Sequence, residues 1–238
     1  MTDSTALDSF LDKWRTRWPE WRVVEVFVPA SQRPLAVAWF ALLQEFTDAM
    51  NIAGDPLPAD AKLAWWGEEL RDWNRQRSRH PLGRVLEPHR APWFELAEAL
   101  PTLIQLRDRP HDEDSAFDAA MPLARAMAEV ERVLFSAQTE QGDWATSIAA
   151  QLLATRLEAA GDAALPPGMA NAGPDSQSEW AQRLLQRWPS RASGPLPRRL
   201  AGALARSQLQ RFKPGGESVA TLPPPRALWL GWRAARRS

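Results

Sequence analysis

Hydrophobic positions recur every three or four residues along most of the chain, which is the spacing of an α-helix. In the segment KLAWWGEELRDW (62–73), Leu63, Trp66, Leu70 and Trp73 form one apolar stripe, and strand-type alternation does not fit. We therefore predict a helix that buries this stripe. The apolar face could be ordinary core, or it could line a cavity.

The same periodicity predicts eight to ten helices joined by proline-rich loops, and therefore an all-α domain. Pro122 predicts a kink or a division into two helices, and Asp60 is the expected cap of the helix that contains the paired tryptophans. Residues 22–28 (RVVEVFV) fit either a short strand or the start of a helix. The predicted helical segments are 7–18, 34–51, one that is capped by Asp60 and ends near the His80-Pro81 pair, 92–107, 112–138, 143–163, 178–188, 197–212 and 224–237. Leu152, in the sixth of them, is expected in the core.

The charge balance and the missing residue types exclude several classes of function. The formal net charge is zero, so we expect no nucleic-acid partner. The chain has no cysteine and no tyrosine, which excludes disulfides, thiolate metal sites and mechanisms that use either side chain. We find neither a secretory signal nor a run of about 18 apolar residues, so a cytoplasmic protein is expected.

Common catalytic motifs are absent, and acidic pairs are the main candidates for chemistry. The three histidines lie in predicted loops, so a metal site built from them is not expected. Glu45 and Asp48 are three residues apart on one predicted helix, and Glu158 and Asp162 are four apart on another. A pair at the latter spacing shares one helix face and could hold Mg²⁺ through carboxylate oxygens, or could simply be solvated.

The C-terminal segment PPPRALWLGWRAARRS (223–238) combines tryptophans with arginines. A basic amphipathic helix with tryptophans suits a membrane surface. Alternatively, it is a closing helix whose tryptophans pack on the domain. A peripheral membrane contact through the C-terminus is therefore one of two hypotheses for this segment.

Four segments, in this order and spacing, resemble the squalene/phytoene synthase family. VFVPASQRPLAVAWFALLQEFTDAMNIAGDPLPADAKLAWWGEEL (26–70) has a Pro–x3–Arg turn, an apolar helix ending in acids, a short break, and a leucine followed by paired tryptophans and acids. HPLGRVL (80–86) resembles the family's next His-Pro segment. QLLATRLEAAGDAALP (151–166) is similar to its second aspartate motif, and LGWRAARR (230–237) to its closing helix. The resemblance spans roughly residues 24–235.

This resemblance implies a single-domain helical bundle of the isoprenoid-synthase type over residues 24–238, preceded by an N-terminal helical extension over 1–23. In that family two helices face each other across an apolar cavity, and each carries a DxxxD motif that holds Mg²⁺ against a prenyl diphosphate. The segment 62–73 would then be a wall helix, with Glu68 toward solvent. The cavity residues that the resemblance implies are Phe40, Gln44, Trp66, Leu70, Gln151 and Ala154.

The first aspartate motif departs from the family pattern. Its two positions fall on Thr47 and Asn51, and only the inner acid, Asp48, remains. Gln44 stands where the family has an arginine. Threonine and asparagine can bind a metal only through neutral oxygen, so they do not offset its charge.

The second motif keeps its acids but loses their neighbours. Glu158 and Asp162 take the two aspartate positions, while Ala154 and Leu157 replace the family's asparagine and arginine. The family's catalytic tyrosines have no counterpart. The metal ligands that the resemblance implies are therefore Asp48, Glu158 and Asp162, with Mg²⁺ as the cofactor only if the protein is active.

We expect a retained fold with a degenerate metal-diphosphate site. The function expected from it is non-catalytic, either binding of an isoprenoid or lipid, or a scaffold or assembly role with a protein partner. The family is similar to one whose members include non-catalytic assembly factors for respiratory complex I. The alternatives are an active prenyltransferase that makes a squalene- or phytoene-type product, and a helical interaction module unrelated to the family.

Overall fold

A computed structural model describes residues 3–137, 142–170, 175–215 and 221–236. The described residues are 76% helical and contain no β-strand, which confirms the all-α prediction. Within them, no helix is both long enough and apolar enough to cross a bilayer.

Eight helices of 12 or more residues form the body of the described structure. They are α1 (Asp3–Arg17), α3 (Arg33–Met50), α4 (Leu57–Asn74), α8 (Glu113–Leu134), α9 (Gly142–Ala160), α11 (Ser176–Arg187), α12 (Leu196–Leu209) and α13 (Pro224–Arg236). The shorter α-helices are α2 (Pro19–Val24), α5 (Gly83–Leu86), α6 (Trp93–Ala99), α7 (Thr102–Gln105) and α10 (Pro167–Ala170). Four 3₁₀ segments, Glu25–Phe27, Ala30–Gln32, Glu87–His89 and Gly161–Ala164, complete the described elements.

Prolines explain most differences from the predicted boundaries. Pro101 separates α6 from α7, so the predicted segment 92–107 is two short helices. Pro122, in contrast, lies inside the single helix α8, which begins with a capping box between Asp112 and Ser115 and packs along α9. Residues 22–28 are not a strand, because α2 and a 3₁₀ turn cover most of them.

The helix with the paired tryptophans differs at both ends from its prediction. α4 begins at Leu57, so Asp60 lies in its first turn and is not its cap. The Asp60 carboxylate instead accepts a hydrogen bond from Arg107 Nη1 at 2.5 Å. The helix ends at Asn74, and the following turn up to His80 folds back over it.

The core surrounds α3, whose apolar residues face several neighbours at once. α3 contacts α1, α4 and α9, and most of its residues from Leu35 to Leu43 are fully buried. The four side chains expected in the core are confirmed there, with exposed fractions of 3% for Leu63, 2% for Trp66, 0% for Leu70 and 4% for Leu152.

A buried carboxylate joins four helices near the centre. Glu131 on α8 is completely buried and accepts hydrogen bonds from the indole nitrogens of Trp39 on α3 (2.7 Å) and Trp144 on α9 (2.8 Å). It also forms an ion pair with Arg198 on α12. A buried charge is tolerated when it is paired and hydrogen-bonded, so this network holds the four helices in register.

The first and last described helices pack on the body. α1 contacts α3, and α2 contacts α13. α13 lies close to α2 and to the Glu25–Phe27 segment because the residues that it buries there are small. A Cβ added at Gly231 would lie 2.7 Å from the Phe27 ring. The fully buried residues of α13 are small, whereas Trp229 is 51% and Trp232 46% exposed.

Candidate functional site

A pocket of about 610 Å³ opens between α1, α3, α9 and α12, and we call it the central pocket. Its walls include the apolar side chains Trp14, Phe40, Leu43, Met127, Ile148 and Leu152. Polar groups also line it, among them Arg17, Gln44, Asp48, Asn51, Glu158 and Gln208. Pockets of this size and mixed lining are typical of small-molecule sites.

Four of the six residues expected to line a cavity lie in this pocket: Phe40, Gln44, Gln151 and Ala154. The positions of the first aspartate motif, Thr47, Asp48 and Asn51, line it as well, and so does Glu158 of the second. The packing of α3 against α9 thus places residues of both motif segments around one space. Leu157 is fully buried and does not line the pocket.

Trp66 and Leu70 lie elsewhere, on the side of α3 that faces α4. Trp66 packs edge-on against Phe46 (ring centroids 5.9 Å apart) and Trp73 (6.2 Å). The space between α3 and α4 is filled by these rings, so the expected wall helix is a core helix. α3 is apolar on both faces, and its sequence does not indicate which face borders the pocket.

Asp48 is held by an ion pair from the N-terminal helix. Arg17 Nη1 on α1 lies 2.5 Å from Asp48 Oδ2, and Gln44 Nε2 donates to Asp48 Oδ1 at 2.8 Å. Arg17 thus supplies the positive charge that a metal ion would otherwise supply. The segment 1–23, expected as an extension, contributes this residue and Trp14 to the pocket.

Asp162 does not share a helix face with Glu158. α9 ends at Ala160, and Gly161 takes a left-handed conformation (φ +53°) that starts a 3₁₀ turn. The Asp162 carboxylate then accepts from Gln177 Nε2 at 2.9 Å, on α11, away from the pocket. The spacing of four residues places two acids together only where the α-helix continues through both.

Glu158 has an unusual environment for a carboxylate at the pocket mouth. Part of the side chain is exposed, but the surrounding wall removes enough water to raise its pKa to about 7, although a hydrogen bond from Gln208 (3.1 Å) opposes the shift. A substantial fraction of this group is therefore protonated near neutral pH, and a protonated carboxyl is a poor metal ligand.

The residues do not fit a resident Mg²⁺ cluster. In the described ranges no group of three or more His, Asp or Glu side chains is placed to share a metal ion. Asp48 is paired with Arg17, Glu158 is partly neutral, and Asp162 points toward α11. Mg²⁺ requires about six oxygens in near-octahedral geometry, and these positions do not provide them.

The paired acids of α4 divide into a solvent-exposed and a structural residue. Glu68 is exposed as expected, whereas Glu69 is completely buried. Its carboxylate accepts from Trp73 Nε1 (2.8 Å) and from the backbone nitrogens of Arg79 and His80 (2.7 Å each). Burial by itself would raise the pKa of Glu69, but these hydrogen bonds together lower it.

The histidine of the turn after α4, His80, is a packing residue, and the hydrogen bond from its backbone nitrogen to Glu69 fixes its position. Its ring lies against Trp66, with centroids 4.7 Å apart, and burial lowers its pKa. Neither His80 nor Glu69 lines the central pocket.

Arg198 is a pocket residue that the sequence pattern did not reveal. It is 2% exposed, its Nη1 donates to Gln151 Oε1 at 3.0 Å, and its guanidinium lies 5.2 Å from the centre of the Phe40 ring. Nothing in the segment GPLPRRL (194–200) marks this arginine as different from its neighbour Arg199. Arg198 is buried because Glu131, on another helix, lies where it can pair with this guanidinium.

Comparison with known proteins adds no relative. No protein-family model matches the chain, and neither the curated proteins nor the solved structures include a match.

Proposed function

We propose that this protein binds an isoprenoid or other lipid chain in the central pocket and does not convert it. The observation that carries the proposal is a pocket of about 610 Å³ whose mixed lining includes an apolar part with Trp14, Phe40 and Leu43, and in which Asp48 is already neutralised by Arg17. Burial of apolar surface contributes about 25 cal/mol per Å², so a long hydrocarbon chain gains affinity without any charged contact.

Loss of prenyl-transfer chemistry is part of the proposal. Diphosphate departs only when metal ions and arginines stabilise the charge that develops on it. Asp48 forms an ion pair with Arg17, and Asp162 accepts a hydrogen bond from Gln177. The resemblance to the squalene/phytoene synthase family supports an isoprenoid-synthase type of bundle over residues 24–238, and a scaffold or assembly role with a protein partner is compatible with it. We propose a cytoplasmic location, with peripheral membrane contact through the C-terminal helix.

Ligand binding can be measured with the protein's own tryptophans. Trp14 and Trp18 both line the pocket, so farnesol added without Mg²⁺ should change their fluorescence in a saturable way. Geraniol, with a shorter chain, should bind more weakly, by about tenfold for each 1.4 kcal/mol of lost burial. Absence of saturable binding for farnesol and for C18 fatty alcohols would reject the proposal.

Catalysis requires a separate assay. Radiolabelled farnesyl or geranylgeranyl diphosphate, incubated with the protein and Mg²⁺ and then extracted, should yield no squalene- or phytoene-type product. A product that disappears in the Glu158→Ala, Asp162→Ala double variant would instead establish the alternative, an active Mg²⁺-dependent prenyltransferase. Asp48, Glu158 and Asp162 would then be its metal ligands.

A further inference from the structure

A second pocket, of about 480 Å³, lies between α12, α13 and the connection 188–193 that precedes α12. We call it the arginine pocket. It is lined by Arg191, Arg198, Arg199, Arg206, Arg226 and Arg233. It shares Arg198 with the central pocket, but its other arginines belong to it alone.

The charge of this lining is one-sided. Six arginines line the pocket, and no aspartate or glutamate does so among the described residues, although the whole chain has equal numbers of acidic and basic residues. Glu131 forms an ion pair with Arg198 and neutralises its charge, but Glu131 itself does not line the pocket. Arginine stays protonated at any physiological pH, so the described lining of this pocket carries positive charge.

Part of this charge is shielded from water. Arg199 is half-buried, and this loss of hydration lowers its pKa. Arg206 is held in place because its Nη1 donates to the carbonyl of Pro189 at 3.1 Å. Guanidinium groups with fixed positions and reduced hydration bind an anion more strongly than mobile surface ones.

Hydroxyl groups add neutral donors to the same space. Ser190 and Ser193 line the pocket, and Ser193 Oγ is buried with no hydrogen-bond partner in the described part of the chain. A buried hydroxyl without a partner costs free energy, and a ligand oxygen would satisfy it. Several guanidinium forks together with hydroxyl donors match the oxygens of a phosphate group better than a single carboxylate.

We propose that the arginine pocket binds a phosphate-bearing ligand. Two sources share this chemistry. One is a small soluble phosphorylated or diphosphorylated compound. The other is the headgroup of an anionic phospholipid, which would enter beside the exposed Trp229, whose ring stacks with Arg233 at 4.7 Å, while Trp232 lies in the membrane interface.

The first experiment measures pyrophosphate binding by the full chain with calorimetry. Wild type should bind saturably, and the affinity should fall with salt. The Arg226→Gln, Arg233→Gln double variant should lose at least about tenfold in affinity, because two charge-assisted contacts disappear. Arg236→Gln is the matched control, since Arg236 lies on the same helix and stacks on Trp232 but does not line the pocket. It should change affinity less than about twofold.

The second experiment identifies the source. The protein is sedimented with phosphatidylcholine vesicles that contain or lack phosphatidylglycerol. Binding to the anionic vesicles that pyrophosphate competes away, and that the double variant loses, assigns the pocket to a lipid headgroup. Pyrophosphate binding without vesicle binding assigns it to a soluble compound.

Two results would overturn the proposal. One is the absence of saturable binding to both pyrophosphate and anionic vesicles. The other is an equal loss in Arg236→Gln and in the double variant, which would indicate diffuse charge and no site. Melting temperatures of all variants are measured in parallel, and Arg199→Gln provides an independent test from α12 if the α13 variants do not fold.

Discussion

The two sides of α3 both carry apolar side chains, but one side is tightly packed and the other borders a pocket. Toward α4, Phe46 meets Trp66 and Trp73 and no space remains. Toward α9 and α1, Phe40 and Leu43 border a pocket of about 610 Å³. Both sides pair apolar helix stripes with nearby acids. The size of the facing residues decides the outcome, because α4 contributes tryptophans where α9 contributes Ala154 and Thr155.

The acids on the two sides differ in the same way. On the filled side, Glu69 is buried and its carboxylate is hydrogen-bonded by backbone and indole nitrogens. On the open side, Asp48 and Glu158 keep contact with solvent and with the pocket. Similar acidic positions are thus buried where the space is filled, and line the pocket where it is open.

The largest effect is expected from truncating the filled side. Trp66→Ala should lower the free energy of unfolding by about 3–5 kcal/mol, because a completely buried ring is replaced by a cavity. Trp65→Ala is the adjacent control. Its ring is 38% exposed and packs edge-on against Trp66, so its loss should cost only about 1 kcal/mol. Urea denaturation measures both, and similar losses would contradict the contrast between the two tryptophans.

Removal of the buried acid should have the next largest effect. Glu69→Ala leaves the indole of Trp73 and the backbone nitrogens of Arg79 and His80 without their acceptor, which should cost about 2–4 kcal/mol. Glu68→Ala, one position earlier and exposed, should change stability by less than about 0.5 kcal/mol. If the Glu69 variant unfolds at the same urea concentration as the Glu68 variant, this carboxylate does not stabilise the turn.

Filling the open side should affect binding more than stability. Ala154→Phe places a ring into the central pocket, so we expect a stability change of about 1 kcal/mol or less and a loss of farnesol binding of at least about tenfold. Ala149→Phe, on the same helix but fully buried and outside the pocket, should cost about 3 kcal/mol through overpacking. Equal destabilisation by both variants would mean that the space at Ala154 is not open.

The smallest effect concerns the proton on Glu158. Its pKa rises from 4.5 to about 7 on folding, so between these pH values the folded protein binds more protons than the unfolded chain. Stability should therefore fall as the pH rises through this range. In Glu158→Gln this loss disappears. The variant should match wild type near pH 4.5 and melt about 2 °C higher at pH 8, a modest gain because the group is partly exposed.

The control for this pH dependence is Glu179→Gln. Glu179 pairs with Arg183 at 2.7 Å on the surface of α11. Its replacement should leave the slope of melting temperature against pH unchanged between pH 5 and 8. An identical slope in wild type and Glu158→Gln would show that Glu158 is not the group that titrates.

The sequence by itself determined the helical class and much of the core. Apolar residues at helical spacing are sufficient for this, because burial of a continuous stripe requires a helix whatever it packs against. Leu63, Trp66, Leu70 and Leu152 are buried as that spacing predicts. Periodicity did not identify the cavity positions, because α3 is apolar on both faces. The resemblance named six, and Phe40, Gln44, Gln151 and Ala154 line the pocket while Trp66 and Leu70 do not.

Only the tertiary structure decided which face is filled and which acids are paired. Arg17 reaches Asp48 across 31 positions of sequence, and Arg198 reaches Glu131 across 67. Local periodicity carries no information about such partners, because they depend on how whole helices are arranged. Gly161, in the left-handed conformation, ends α9 and separates Asp162 from Glu158, and the two acids then meet Gln177 and Gln208 on different helices. Spacing places side chains on a helix, and packing between helices determines what they meet.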